Sequence, residues 1–178
     1  MGKDFKFGYE GVIYYSATLL DQRPGDTDGS NNFTNVPWQE MDNVTDVDGD
    51  YSAETVDTTT RAEAKKGWKS EVKSIKAGVT KWSARWKPSG TDSAFDVLRN
   101  AWLSGNPIPI MDLDGKRDEP GSQGLVGNMS VEFSKKKPVK GIMMVDITVS
   151  VQSFPDWVKV NDGGNLEAVE PEPDSTDA

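Results

Sequence analysis

The sequence contains no cysteine and no histidine among its 178 residues. Metal sites that need Cys or His ligands, thiol catalysis, Ser-His-Asp triads and histidine general bases are therefore all excluded. Long apolar runs are also missing, because no stretch approaches the roughly 18 apolar residues of a membrane-spanning helix. We expect a soluble protein that has no cofactor or metal and no membrane partner.

Basic residues are outnumbered, with 20 Lys+Arg against 29 Asp+Glu and a net charge of −9. The electrostatic field of this net negative charge repels phosphate backbones, so specific nucleic-acid binding is not expected. The length suits one packed domain, and aromatic residues still make up 9% of the chain. We place that domain at residues 1–160. Residues 161–178 are acidic and almost without large apolar groups, which predicts a disordered tail.

Alternating and β-branched segments predict strands along most of the chain, including "GVIYYSATLL", "KWSARW" and a hairpin of "GLVGNMSVEFS" with "GIMMVDITVSVQSF". One segment, "TDSAFDVLRNAWLSG", has helical spacing and predicts a helix over Asp92–Ser104 that stops at Gly105. Its apolar stripe, with Phe95, Leu98 and Trp102, should pack on a sheet. The expected fold is mainly β: an antiparallel sandwich or barrel of about seven or eight strands, flanked by that single helix.

The segment "VTDVDGDYSAE" gathers carboxylates around one glycine and raises the question of a calcium loop. An EF-hand needs oxygen ligands at its first, third, fifth and last positions around a central glycine. With Gly49 as that glycine, Val44 and Thr55 occupy the first and last positions. We therefore interpret the segment as an acidic turn at the root of a long loop, residues 46–66, and expect no metal.

No set of residues indicates catalysis. A catalytic pair of carboxylates could be nominated from any two of the 29 acidic residues, so such a nomination carries no information. The protein is accordingly not expected to be an enzyme. Trp82 and Trp86 would project from the same side of one strand, which allows an alternative: a carbohydrate-binding or adhesin-like β-sandwich. Packing of these rings in the core is the competing interpretation.

The order of these elements resembles the tail tube proteins of long-tailed bacteriophages. The resemblance rests on "GVIYYSATLL", on a Trp-containing strand that runs into "VTDVDGDYSAETVDTTTR", on the helix of "SAFDVLRNAWLSGNPIPIMDLDG", and on the final "GIMMVDITVSVQSF". Subunits of contractile tails and of type VI secretion tubes share this fold, and the sequence does not separate them.

The resemblance implies a structural virion protein of the tail, made in the host cytoplasm. In that family a β-sandwich with one helix forms hexameric rings, whose inner sheets join into a barrel, and the rings stack into a conduit for DNA delivery. The implied partners are other copies of the chain, tape measure and tail-completion proteins, and DNA that passes through the lumen without specific binding.

The resemblance also implies that the loop of residues 46–66 contacts a neighbouring subunit. We expect this loop to be poorly ordered in an isolated subunit and ordered on assembly. The implied contact residues are Asp46, Asp48, Asp50, Asp57, Thr58, Thr59, Thr60 and Arg61.

Overall fold

The computed structural model describes residues 11–21, 36–42, 44–57, 71–85, 93–137 and 140–169. These residues form eight strands and one helix, α1, at Ser93–Ser104. Within the described ranges, no helix is both long enough and apolar enough to cross a membrane. The strands are β1 (Val12–Tyr15), β2 (Gln39–Glu40), β3 (Val44–Asp57), β4 (Glu71–Arg85), β5 (Ile108–Leu113), β6 (Gln123–Lys136), β7 (Met144–Val160) and β8 (Leu166–Ala168).

All eight strands belong to one antiparallel sheet in the order β2-β1-β5-β6-β7-β4-β3, with β8 added to the end of β7. The predicted mainly-β fold with a single helix is confirmed. The predicted hairpin is also present as β6 and β7, which pair from Gln123↔Lys159 to Lys136↔Met144.

The two long strands β6 and β7 divide the sheet into two halves. In one half, residues 124–129 of β6 pair with β5 and residues 158–160 of β7 pair with β8. We call this part, with residues 123–129 of β6 and 151–160 of β7, the β5 half. Residues 144–150 of β7 instead pair with β4, and β4 pairs with β3. Together with residues 130–136 of β6 they make the four-stranded half.

The sheet curls at the junction between the two halves. The β6–β7 pairing shifts register on both sides of Asn128, and Phe154 of β7 has a positive φ of 52°. Such irregularities bend a strand and increase its twist. As a result, one continuous sheet forms a curled half-barrel, with apolar side chains and α1 on its inner side.

The inner core takes side chains from both halves and from the helix. It includes Trp82 of β4, Met129 of β6 and Ile147 of β7, each at most 2% exposed. From α1, Leu98 is 2% exposed and Phe95 is 9% exposed. Trp102, which was expected in the same stripe, is instead 50% exposed and packs one face on Phe133 at a ring distance of 5.1 Å.

Strand β3 contains a bulge that decides which side chains face inward. Between Thr45↔Ser83 and Asp48↔Lys81 the strand holds one residue more than its partner. Asp46 adopts the irregular backbone conformation of this bulge. Its φ is 52°, a left-handed conformation that aspartate tolerates better than most residues. The bulge keeps Val44 and Val47 packed against the core, and Asp48 and Asp50 are left on the opposite side.

Two expectations need correction. The loop predicted over residues 46–66 is a paired strand as far as Asp57, because β4 supplies backbone partners along that stretch. The tail predicted from residue 161 first forms β8, which pairs with β7 through Val160↔Leu166. The predicted helix is confirmed from Ser93 to Ser104, and its predicted first residue, Asp92, lies outside the described residues, as do 58–66 and 170–178.

The helix offers a matched test of its packing. Leu98→Ala removes a buried side chain and should lower the free energy of unfolding by about 2 to 5 kcal/mol, because a cavity remains in the core. Leu103 lies on the same helix and is 67% exposed, so Leu103→Ala should change the monomer's stability by no more than about 0.5 kcal/mol. Urea unfolding of both variants measures the difference, and equal losses would contradict the assigned faces.

Candidate assembly surfaces and the closure cluster

A single carboxylate joins the two halves of the sheet. Asp112 of β5 has the same orientation as Ile108 and Ile110, which belong to the inner core. Its Oδ2 accepts a hydrogen bond from the Tyr51 hydroxyl at 3.0 Å and another from the Thr80 hydroxyl at 3.2 Å. Tyr51 lies on β3 and Thr80 on β4, so one oxygen connects three strands.

These contacts measure how far the sheet curls. In the strand order, β6 and β7 stand between β5 and β4. Three spacings of about 4.8 Å would place β4 roughly 14 Å from β5 along a flat sheet. The hydroxyl of Thr80 is nevertheless within hydrogen-bond distance of Asp112. The contact is therefore made across the inside of the curl.

Two glycines make this approach possible. A Cβ on Gly49 would lie 2.5 Å from the Tyr51 hydroxyl, so the absence of a side chain lets the ring lie over β3 and reach Asp112. A Cβ on Gly124 would lie 1.7 Å from the backbone oxygen of Asp112, which shows how closely β5 and β6 approach there. Neither position has room for a larger residue without movement.

The electrostatics of the contact follow from burial. Desolvation raises the pKa of Asp112, while the hydrogen bonds from Tyr51 and Thr80 act in the opposite direction and favour the carboxylate. Desolvation is also the main cause that raises the pKa of Tyr51 to about 12, and the nearby Asp112 adds to it. Tyr51 is consequently a neutral hydrogen-bond donor at physiological pH.

Trp157 of β7 completes what we call the closure cluster: Tyr51, Thr80, Asp112 and Trp157. Its ring meets Tyr51 edge-on at 5.4 Å and 89°, and its indole N–H donates to Gln123 at 3.2 Å. An open pocket of about 380 Å³ lies against these side chains. Because the polar groups of the cluster point at one another, the arrangement is that of a structural contact.

The outer side of the four-stranded half is polar, and we call it the polar face. Neighbouring strands align in rows such as Asp48, Lys81, Thr148 and Glu132. A second row runs through Ser83, Asp146 and Ser134, in which Ser83 donates to Asp146 at 2.7 Å and Lys136 pairs with Asp146. Such alternation of an apolar and a polar side is typical of a sheet with one face in water.

Both edges of the four-stranded half are open in the part of the chain that is described. Strand β5 pairs with β6 only as far as Ile108↔Met129, so residues 130–136 have a strand partner on the β7 side alone. At the other end, β3 pairs only with β4. Open edges of this length are templates for pairing with another chain.

Exposed apolar side chains accompany one of these edges. Trp102 and Leu103 of α1 are 50% and 67% exposed, and Trp102 contacts Phe133 of the open β6 segment. An apolar patch next to an unpaired strand edge is typical of a protein-protein interface.

The predicted contact residues are placed as follows. Asp46, Asp48 and Asp50 are exposed on β3, at the open edge, whereas Asp57 ends that strand. Thr58, Thr59, Thr60 and Arg61 lie outside the described residues. Among the described residues, no group of three or more acidic side chains is arranged to hold a metal.

The carbohydrate-binding alternative loses its main support. It required Trp82 on the surface, but this ring is 2% exposed and belongs to the inner core. Trp86 lies outside the described residues. Trp82 therefore serves packing, as the competing interpretation of the sequence proposed.

Sequence reasoning missed the closure cluster. Tyr51 lies in the segment predicted as a loop, because residues 46–66 show little apolar periodicity. From Val47 onward, however, "VDGDYS" does alternate, and a bulge before it would have restored the pattern. Nothing local to Asp112 indicates a partner on β3 or β4, since the contact joins residues 61 positions apart.

No family model and no curated protein matches the sequence. Solved structures do match. The tail of an empty gene transfer agent particle, refined with helical and C6 symmetry, aligns with TM-score 0.60 at 14% identity over 86% of this chain and 98% of that one. A native gene transfer agent virion aligns with TM-score 0.58 at 12% identity, covering 93% of this chain and 100% of the other.

The tail tube of SPP1, determined by solid-state NMR and cryo EM, aligns with TM-score 0.61 at 12% identity over 89% of this chain and 82% of that one. At such low identity the likeness concerns the fold. The chain therefore has a phage tail tube protein fold, as the resemblance in its sequence implied.

The glycine beneath Tyr51 can be tested by a double-mutant cycle. Gly49→Ala should lower the free energy of unfolding by roughly 1 to 3 kcal/mol, because the added methyl group displaces Tyr51. In a Tyr51→Ala background the same substitution should be neutral or stabilising. Chemical denaturation of the four proteins gives the coupling, and an equal effect of Gly49→Ala in both backgrounds would contradict the role of Gly49.

The raised pKa of Asp112 predicts the sign of a pH effect. The folded protein holds the Asp112 proton more tightly than the unfolded chain, so this group stabilises most below its ordinary pKa of 3.8. That stability is lost as the pH rises through the folded pKa. Wild type should therefore gain free energy of unfolding relative to Asp112→Asn when the pH falls from neutrality toward 4.

Urea unfolding of wild type and Asp112→Asn at a series of pH values measures this difference, and other titrating groups cancel in it. Asp146→Asn is a suitable control, since Lys136 and Ser83 lower the pKa of Asp146 and its pH effect should have the opposite sign. A constant difference for Asp112→Asn, or one that shrinks on acidification, would refute the assignment.

Proposed function

We propose that this protein is a tail tube subunit, which forms hexameric rings that stack into a hollow conduit for DNA. The observation that carries the proposal is the four-stranded half, with one polar face and two open edges. The solved tails with the same fold support it, one of them having C6 symmetry.

The directions of the strands suit a head-to-tail ring. Neighbouring strands in β6-β7-β4-β3 are all antiparallel. With four strands, the two edge strands β6 and β3 run in opposite directions. When β3 of one copy lies beside β6 of the next, antiparallel pairing therefore continues across the joint. A contact between two different surfaces of this kind closes into a ring by rotation.

The side-chain pattern limits how the copies can pair. An offset by an odd number of residues would place the polar side chains of β3 next to the apolar side of β6. An unshifted pairing would set Asp48 opposite Glu132, which lie in the same row of one subunit. Because closed barrels require a stagger between strands, we propose an even, non-zero offset.

The polar face would line the lumen. On the other side of the four-stranded half lie the inner core and α1, which belong outside the barrel. Away from the strand ends, the charges of the polar face are Asp48, Asp50, Glu132 and Asp146 against Lys81, and Asp146 pairs with Lys136 at the end of β6. A wall that is hydroxyl-rich and weakly acidic repels phosphates and allows DNA to slide without binding.

The exposed apolar side chains of α1, Trp102 and Leu103, would lie at the same contact between β6 of one copy and β3 of the next. When a neighbour's β3 extends the sheet at β6, its inward residues Val44 and Val47 would lie on the side of Phe133 and Trp102. This would continue the inner core from one subunit to the next and cover surface that is exposed in the single chain.

On this proposal the protein is a non-enzymatic part of the virion tail, made in the host cytoplasm. Its partners are other copies of itself, with tape measure and tail-completion proteins as further partners. The part of the β3–β4 ribbon beyond Val79↔Ser150, where β4 no longer pairs with β7, would reach toward a neighbouring subunit or ring. The implied contact residues from Asp57 to Arg61 follow in this direction along the chain.

Engineered disulfides test the ring directly, because the protein has no cysteine of its own. Ser134→Cys on β6 is combined in turn with Thr45→Cys, Asp48→Cys or Asp50→Cys on β3. Within one subunit these strands are three spacings, roughly 14 Å, apart along the sheet, and the chosen positions lie on its outer side, where the curl does not bring them together. A disulfide needs Cα atoms closer than about 7 Å. Any bond must therefore join two copies.

After oxidation, at least one double variant should give a ladder of covalent oligomers that ends at the hexamer on non-reducing gels. Each single-cysteine variant is the control and should give no species beyond a dimer. Negative-stain microscopy of the same samples should show rings. Wild-type protein that stays monomeric at all concentrations and salts would overturn the proposal, as would rings whose double variants never cross-link.

A further inference from the structure

We propose that the rings stack by opposite charge, with a basic end of one subunit resting on the acidic end of a second copy in the next ring. The inference builds on the proposed ring and names the chemistry of its stacking joint. It follows from the distribution of charged side chains at the two ends of β6 and β7.

One end of the subunit is basic, and we call it the basic tip. It consists of the β6–β7 turn with the adjoining end of β4, where Arg85 pairs with Met144. Its cations are Arg85, Lys135, Lys136, Lys137 and Lys140, all exposed. Lys136 pairs with Asp146, and Asp46 lies near the same end on β3, next to Thr45, which pairs with Ser83. The cations still exceed these carboxylates.

The opposite end is acidic, and we call it the acidic base. It joins the β5–β6 turn to the β7–β8 turn through backbone hydrogen bonds from Gly121 to Val160 at 2.9 Å and from Val160 to Ser122 at 2.7 Å. Its cations are Lys116, Arg117 and Lys159. Its carboxylates are Asp114, Asp118, Glu119, Asp156, Asp162 and Glu167.

The two ends are too far apart to neutralise each other within one chain. Strand β6 runs from the base to the tip over 14 residues and bends at Asn128. At about 3.3 Å per residue its two arms are roughly 17 and 26 Å long, so even a right-angle bend leaves the ends about 30 Å apart. Exposed charges are screened over about 10 Å at moderate salt. Each end therefore keeps its own field, and the complementary surface for the tip is the base of another copy.

The arrangement also fixes the direction of growth. In the proposed ring all six tips point to one rim and all six bases to the other, since every subunit is related by rotation. Tip against base attracts, whereas tip against tip or base against base repels. Rings would thus stack with one polarity, and opposed rings would be rejected.

The test uses two charge-reversed forms of the full chain. The tip variant carries Lys135→Glu, Lys137→Glu and Lys140→Glu, which leaves the Lys136–Asp146 pair intact. The base variant carries Asp118→Lys, Glu119→Lys and Asp162→Lys, all at exposed positions of the turns. Gln152→Glu adds a charge at an exposed position midway along β7, away from both ends and from the open edges of β3 and β6, and serves as the control.

Wild type and Gln152→Glu should form tubes at low salt and shorter tubes or rings as salt is raised. Each reversed variant alone should form rings but no tubes, as judged by negative-stain microscopy and by sedimentation. Mixing rings of the two variants should restore tubes, because the acidic tip then meets the basic base and the basic tip meets the acidic base.

The inference is overturned if either reversed variant stacks like wild type, or if the mixed variants remain as single rings. Both results would still show rings, so they are distinct from failure of the proposed function, in which wild type itself would form no ring. Restoration on mixing also separates the stacking role from simple loss of folding, since an unfolded variant could not be rescued by a partner.

Discussion

The curl of this protein is held by one half-buried carboxylate that is shared between distant parts of the sheet. Asp112 accepts hydrogen bonds from Tyr51 and Thr80, two side chains of strands that the sheet order places far from β5. A carboxylate withdrawn from water must be compensated by such donors. The curl, the enclosed core and the position of the helix are all consistent with this contact, which holds the four-stranded half against the β5 half.

A second constraint is the bulge at Asp46, whose effect extends beyond its own strand. By adding one residue to β3, it turns Val47, Gly49 and Tyr51 inward and Asp48 and Asp50 outward. Without it, regular alternation from Val44 would turn Asp48 into the core and Tyr51 away from Asp112. The same irregularity thus brings a donor to the closure cluster and keeps the outer side of the strand polar.

The open edges connect the fold to assembly. A monomeric protein usually shields its sheet edges, because unpaired strands promote aggregation. Here β3 and the far segment of β6 leave matching antiparallel edges on the two sides of one polar-faced half-sheet, with the exposed Trp102 and Leu103 beside one of them. In the proposed assembly, unpaired edges of opposite direction and charged ends of opposite sign would favour ordered growth through copies over random association.

The sequence by itself determined the mainly-β class, the β6–β7 hairpin and the helix ending at Ser104, because alternation, helical spacing and a terminal glycine are local signals. It also carried the resemblance to tail tube proteins, although no family model matches it. Only the tertiary structure decided that Trp82 is buried while Trp102 is half exposed, that residues 46–57 form a strand, and that Asp112 meets Tyr51. These outcomes depend on a register shift and on contacts between residues far apart in sequence, which local periodicity does not encode.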